Sequence, residues 1–335
     1  MNKKLIFLQN TRCAGNSLHN YLLETCGDKV IKFGVGVGGH LYDYSYILEN
    51  INNPKIRFIF GHNVFGLHRH VKGDFEYFTS LRDPVKRLIS GYSAWNEDLG
   101  KTITEWLNQS FELNNGFVKR LCGYGLFNDR VYDFTKDSYI DDKLVLNKGH
   151  LETAIQNIEK YHGAILFTEM FIESLLLFEE KYDLPPLFSL SMNYYNQTKM
   201  KLSEDEVDPS VVEYIRENNQ LDYQLYNYFK EKVSKEIASR PKEFHDRVRI
   251  RKILSLMLKV SGKDQLSIQE LNERVTTGAQ KLVFFGMIDE FVEILKLIIS
   301  KNNVSGYSSE SLIRSVSPFI PKGAIAELTL LDDKK

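Results

Sequence analysis

Cysteine is scarce. Cys13, Cys26 and Cys122 form an odd, unpatterned set that supports neither a disulfide framework nor a C-x-x-C redox centre, and a reducing compartment fits such a set best. Net charge is nearly absent as well: 43 Lys and Arg against 44 Asp and Glu leave −1, which argues against bulk electrostatic binding to nucleic acid and requires any anion site to be a local one. No apolar run reaches the length of a membrane-spanning helix, so no membrane span is expected. The first apolar segment, Lys4 to Leu8, is too short for a secretory signal and ends in polar residues, so the reading is a cytoplasmic protein. His62, His68 and His70 lack a nearby Cys and an H-x-x-x-H pair, and no metal is expected.

What is present is an ordinary globular composition, 43% hydrophobic and 26% charged over 335 residues, enough for one large core or two modest ones. The chain declares itself between Leu5 and Leu23. Lys4 to Leu8 is a continuous apolar run of strand length, which suits a buried parallel strand. Leu18, Tyr21, Leu22 and Cys26 then recur at helical spacing, with Ser17 placed as an N-cap or first-turn hydroxyl. The intervening loop, Asn10-Thr11-Arg12-Cys13-Ala14-Gly15-Asn16, bends back over a helix N-terminus, where unpaired amides and the helix dipole favour an anion. Arg12 adds a fixed positive charge there. An ordinary strand-to-helix turn is the alternative for this stretch alone.

A second unit of the same kind spans Phe78 to Trp95: an apolar strand, a polar turn and a helix with Pro84 in its first turn. Arg82 at the strand end and Ser90 two helical turns on could both face a phosphate beside the first loop. Between the two lies Ile56 to His70, a strand ending in Gly61-His62. Open α/β sheets put their chemistry at such strand ends, which makes His62 the candidate general base, with His68 the second choice.

The loop T-R-C-A-G-N-S-L, the spaced set Arg82, Asp83, Pro84, Arg87, Ser90 and Tyr92, and the segment G-H-N-V-F-G-L-H together resemble the carbohydrate-type (family 2) sulfotransferases. These use 3′-phosphoadenosine 5′-phosphosulfate (PAPS). The resemblance runs from about residue 4 to 232, through Asn115 to Gly123, Glu169 to Leu175, Asn193 and Asp222 to Tyr226. It implies that Arg12, Cys13, Ala14, Gly15, Asn16 and Ser17 hold the 5′-phosphosulfate, that Arg82 and Ser90 bind the 3′-phosphate, and that His62 stands at the acceptor hydroxyl. The sequence departs from the family's loop at two positions: Arg12 stands where the family has Lys, a planar fork for a compact ammonium, and Asn16 where it has Thr.

Other signals carry less. Gly34 to Gly39 match G-x-G-x-x-G by letter, but no acidic residue follows to take a ribose, so the stretch reads as a loop near the acceptor. Lys119 and Arg120 could meet an anionic sugar, though a solvated helix face is the better reading. Glu169, just past a strand, reads as a helix cap, and Lys199 as a further contact to nucleotide phosphate. Asp129 to Asp142 reads as an acidic, turn-rich connection. After Glu236 the chain turns basic and polar, then helical, and L-V-F-F-G-M-I-D-E-F-V-E-I-L faintly echoes A-I-L-F-T-E-M-F-I-E-S-L-L-L, a likeness that chance accounts for.

The expectation is an α/β, P-loop-like three-layer fold with a mainly parallel central sheet. Residues 1–236 would form the PAPS-binding and catalytic domain and 237–335 a helical extension. The function expected from the resemblance is PAPS-dependent sulfuryl transfer to a hydroxyl, on a carbohydrate, without a metal. A nucleotide-dependent kinase is the rival, disfavoured because G-x-x-x-x-G-K-[ST] is absent and Asn16 stands where its Lys would be. A non-enzymatic nucleotide- or glycan-binding protein on the same scaffold is another.

Overall fold

The computed structural model describes residues 3–32, 41–62, 65–95, 100–127, 130–140, 144–184, 202–257, 277, 279–280, 288–300 and 309–333. The Gly34 to His40 loop, Asn193, Lys199 and the first half of the C-terminal echo lie outside them. The chain divides into two compact units, Met1–Tyr182 with Gln197–Ala238, and Asp183–Asn196 with Ser239–Lys335.

The first unit is an α/β structure around a five-stranded parallel sheet. In chain order its sheet strands are β1 (Lys4–Leu8), β2 (Val30–Lys32), β3 (Phe58–Gly61), β4 (Phe75–Leu81) and, later, β8 (His162–Phe167), arranged β2-β3-β1-β4-β8. β1 is central: Leu8 pairs with Gly61 on one side and Thr79 on the other. All five of its residues are buried, as the unbroken run K-L-I-F-L requires of a strand covered on both faces.

Helices cover those faces. α1 (Gly15–Cys26) brings His19 within 5.1 Å of the Phe60 ring, and α7 (Phe171–Tyr182) brings Phe178 within 4.9 Å of Phe78, around a stack of Phe7 on Phe78 at 4.9 Å. Alternate residues Ile6, Leu8, Ile59 and Tyr77 share the other core with α5 (Gly116–Leu121), α6 (Lys148–Tyr161) and α9 (Gln220–Ala238). Each such buried Phe or Leu contributes roughly 1.5–3 kcal/mol. A smaller core joins α3 (Pro84–Trp95) to α4 (Ile103–Gln109) and α8 (Pro209–Asn218) through Leu88, Ile89, Trp106 and Ile215. α2 (Leu41–Asn50) precedes β3.

The expected turn-rich connection is a correction. Tyr124–Phe127, Arg130–Asp133 and Ser138–Tyr139 form a separate antiparallel sheet, β5-β6-β7, in which Tyr132 meets Phe134 and Tyr139 edge to face. Acidic residues hid it because Asp133 works inside the turn, accepting from the Thr135 and Lys136 amides at 2.9 and 3.1 Å.

In the second unit α10 (Lys242–Met257) buries Phe244, Val248 and Ile250. α11 (Ile288–Ser300) and α12 (Ser309–Val316) each pack on α13 (Lys322–Asp333). Lys296 ties α11 to α13, reaching Glu293 at 2.7 Å and Glu327 at 2.6 Å. Among the described residues no helix is long and apolar enough to cross a membrane.

Candidate functional site

The strand order concentrates chemistry at one place. From β1 the chain goes on to β2 on one side of the sheet, whereas from the adjacent β4 it goes on to β8 on the other. Connections leaving neighbouring strands in opposite directions open a crevice at their carboxyl ends, the place where open α/β sheets bind ligands. The segments beginning at Gln9, His62 and Arg82 leave β1, β3 and β4 at this edge.

After Leu8 the chain turns through two residues in left-handed backbone conformation, Arg12 at φ 59° and Ala14 at φ 61°, neither of them glycine. Such geometry costs of order 1 kcal/mol or more per residue and clusters at functional sites. It persists because the loop is tied to β4. Ser80 Oγ donates to the Cys13 carbonyl at 2.6 Å, and buried Asn10 donates from Nδ2 to Thr79 Oγ1 and the Ser80 carbonyl. Gly15 opens α1 lying on the Gln9 side chain, and a Cβ there would stand 2.7 Å from Gln9 Cγ. Ala14 is the N-cap and the helix opens at Gly15, which selects the second of the two places expected for Ser17. Ser17 is therefore a first-turn hydroxyl beside amides that have no intrahelical acceptor.

Arg12 joins the two motifs. Its Nε donates to Ser90 Oγ on α3 at 3.1 Å, and Arg82 Nη1 donates to the Arg12 carbonyl at 3.1 Å. The carbonyls of Arg12 and Cys13, which would repel an anion, are thereby engaged. Partial burial lowers the Arg12 pKa, and the neighbouring Arg82 charge adds to the effect. Arg82 makes no ion pair among the described residues. Cys13 is fully buried, its thiol pushed up to about 12 by desolvation, so it packs and does not ionise.

His62, half-buried at the end of β3, donates from Nδ1 to the Gln9 carbonyl at 2.8 Å. A carbonyl only accepts, so this bond assigns the proton to Nδ1 and the lone pair of the neutral ring to Nε2. The bond comes from the backbone immediately before the Arg12 loop, so the imidazole is referenced to that loop. His68 is elsewhere. It stacks on Tyr161 at 4.7 Å and meets the Tyr77 hydroxyl at 3.2 Å, with its pKa lowered by burial. It is a core aromatic, not a second base at the crevice.

Other residues of the same motifs are structural. Arg87 is buried and pairs with Glu112 and Asp222, and Arg120 pairs with the same Glu112, whose carboxyl the two guanidinium groups hold far below its usual value against the opposing effect of burial. Asp222 accepts from the Phe117 and Val118 amides at 3.0 Å and caps α5. Asn115 accepts from the Leu221 and Asp222 amides and caps α9, so two helix starts cap one another. Lys119 donates to the Phe111 and Leu113 carbonyls, and burial lowers it to about 8. The solvated face expected for Lys119 and Arg120 is thus corrected: both are buried, because the chain before them folds back and supplies their acceptors. Tyr92 donates to the Lys101 carbonyl and packs on Trp106.

Sequence reasoning gave no separate role to Gln9 and Asn10, which seat the loop, and read Glu169 as a helix cap without fixing which helix. Glu169 accepts from the Asp83 amide at 2.9 Å and so serves the start of α3, not the helix that follows it in sequence. The detectable signal was Lys86 at the third position of α3, which cannot return the N-cap amide bond as Glu or Gln would. The chain matches no protein-family model and no curated protein.

Proposed function

We propose that the crevice binds a nucleotide with anionic groups at both ends, and that the chain is a PAPS-dependent O-sulfotransferase of P-loop-like three-layer fold acting on a carbohydrate hydroxyl. The observation that carries this reading is the Arg12, Arg82 and Ser90 junction: two guanidinium groups at two helix starts, one of them without a carboxylate partner among the described residues. Adjacent cations are electrostatically unfavourable unless an anion lies between them. The donor set fits PAPS, since Arg12, Ser17 and the first-turn amides of α1 suit the phosphosulfate end, while Arg82 and Ser90 suit the 3′-phosphate. The glycine at position 15, which no side chain can replace without displacing Gln9, lets backbone approach that end closely.

PAPS supplies the sulfuryl group. The acceptor oxygen forms a bond to sulfur as the bond from sulfur to the bridging phosphate oxygen breaks. His62 Nε2 takes the hydroxyl proton, oriented by the Nδ1–H bond to Gln9. Arg12 and the α1 amides hold the charge left on the departing phosphate.

Calorimetry with 3′-phosphoadenosine 5′-phosphate and adenosine 5′-phosphate tests the reading. The wild type should prefer the former, and Arg82→Ala should lose about ten- to hundredfold of that affinity, the effect of one charge-assisted bond. Equal binding of the two nucleotides, or a preference for ATP with magnesium, overturns it.

A further inference from the structure

We propose that Glu169 is a positioning residue for the 3′-phosphate subsite, acting through the backbone of the turn that presents Arg82; this rests on the reading of the crevice given above. Asp83 is the N-cap of α3, its Oδ1 accepting from the Lys86 amide at 3.1 Å. In a capping box the third helical residue would accept the N-cap amide in return, but here that residue is a lysine, which has no acceptor. Glu169, in the turn that follows the neighbouring strand β8, supplies the missing acceptor through Oε1 at 2.9 Å. Its other oxygen accepts from Thr168 Oγ1 at 3.0 Å, so both carboxylate oxygens have assigned partners and the rotamer is held.

The geometry has a direct consequence for Arg82. The Asp83 amide belongs to the peptide unit whose carbonyl carbon is that of Arg82, and that unit is planar. Holding the Asp83 N–H fixes the orientation of the Arg82 main chain and hence where its guanidinium meets the Arg12 carbonyl. The bond also joins the ends of β4 and β8, which otherwise only run side by side as far as Leu81 and Phe167. A bare negative charge near Arg82 would by itself weaken anion binding. Glu169 therefore has two opposed effects, and the proposal is that the geometric one dominates.

Full-length Glu169→Ala, Glu169→Gln and Glu169→Lys separate them by calorimetry with 3′-phosphoadenosine 5′-phosphate and adenosine 5′-phosphate. Glu169→Ala should weaken the former about three- to tenfold and leave the latter within about twofold. Glu169→Gln keeps an acceptor oxygen and should retain wild-type selectivity. Glu169→Lys removes the acceptor while adding positive charge, and should still weaken the bisphosphate. Tighter binding by Glu169→Lys, or unchanged selectivity in Glu169→Ala, overturns the proposal while leaving the crevice reading intact. A wild type that does not discriminate between the two nucleotides overturns the crevice reading, and this one with it. Should Glu169→Ala not fold, the sign of the Glu169→Lys effect decides.

Discussion

Arg82 and Arg87 belong to one short motif, yet they end in opposite surroundings. Arg82 stands at a strand end, donating to the Arg12 carbonyl and without an ion pair among the described residues, with the Arg12 charge nearby. Arg87 lies fully buried between two carboxylates and over the Phe117 ring at 4.3 Å. The first arrangement is electrostatically incomplete, the second closed. A closed cluster maintains structure, because every buried charge already has its counter-charge. An incomplete one at a strand end has charge to offer a ligand. On the proposed reading the motif divides into a ligand-binding end and a supporting end, although its residue types alone do not reveal the division.

Two substitutions probe that division and a third sets a control away from it; the largest effect belongs to the crevice. His62→Ala should lower sulfuryl transfer from labelled PAPS to a glycan panel by about 10²–10⁴ while nucleotide affinity and melting temperature change little. Near wild-type turnover would remove His62 as the base. The second lies in the closed cluster. Arg87→Leu leaves Glu112 and Asp222 short of a partner in the interior, and should destabilise the fold by about 3–5 kcal/mol in chemical denaturation, independent of nucleotide. A stable Arg87→Leu protein that has lost only nucleotide affinity would move Arg87 to the ligand-binding end.

The third and smallest effect concerns a buried group away from both. His162 lies between the Phe65 and Tyr77 rings, and desolvation lowers it to about 3 from an ordinary 6.5. The unfolded chain then binds the proton more readily than the folded one, so stability falls as pH drops from about 6.5 toward about 3. The slope is about 1.4 kcal/mol per pH unit, or about 2 kcal/mol by pH 5. Denaturation across this range should show that slope in the wild type, and His162→Phe should flatten it. An unchanged slope would assign the acid sensitivity to other groups.

Much of the sheet was legible because its signals are local. K-L-I-F-L became β1 over the expected residues, and the strands ending at Gly61 and Leu81 and the helix opening at Pro84 follow from apolar runs and turn chemistry. The α1 start was legible to within two residues, Ser17 falling in its first turn; its N-cap was not, because Ala14, an unfavourable N-cap, takes left-handed geometry maintained by bonds from remote residues such as Ser80. The antiparallel sheet was missed because its strands are short and its acidic residues serve the turn.

The sequence by itself determined the strands that end at Leu8, Gly61 and Leu81, where they stop, and that a charged or imidazole group follows each stop. Apolar periodicity and breaker residues act within a few positions, so no distant contact was needed. Only the tertiary structure decided the order β2-β3-β1-β4-β8, and with it that Arg12, His62 and Arg82 leave adjacent strand ends. It also decided that Arg87, Lys119 and Arg120 are interior while Arg82 lacks an ion pair among the described residues. The physical reason is the same in each case: a charged side chain is closed off or left open according to the counter-charges around it, and here Glu112 and Asp222 come from segments remote in sequence.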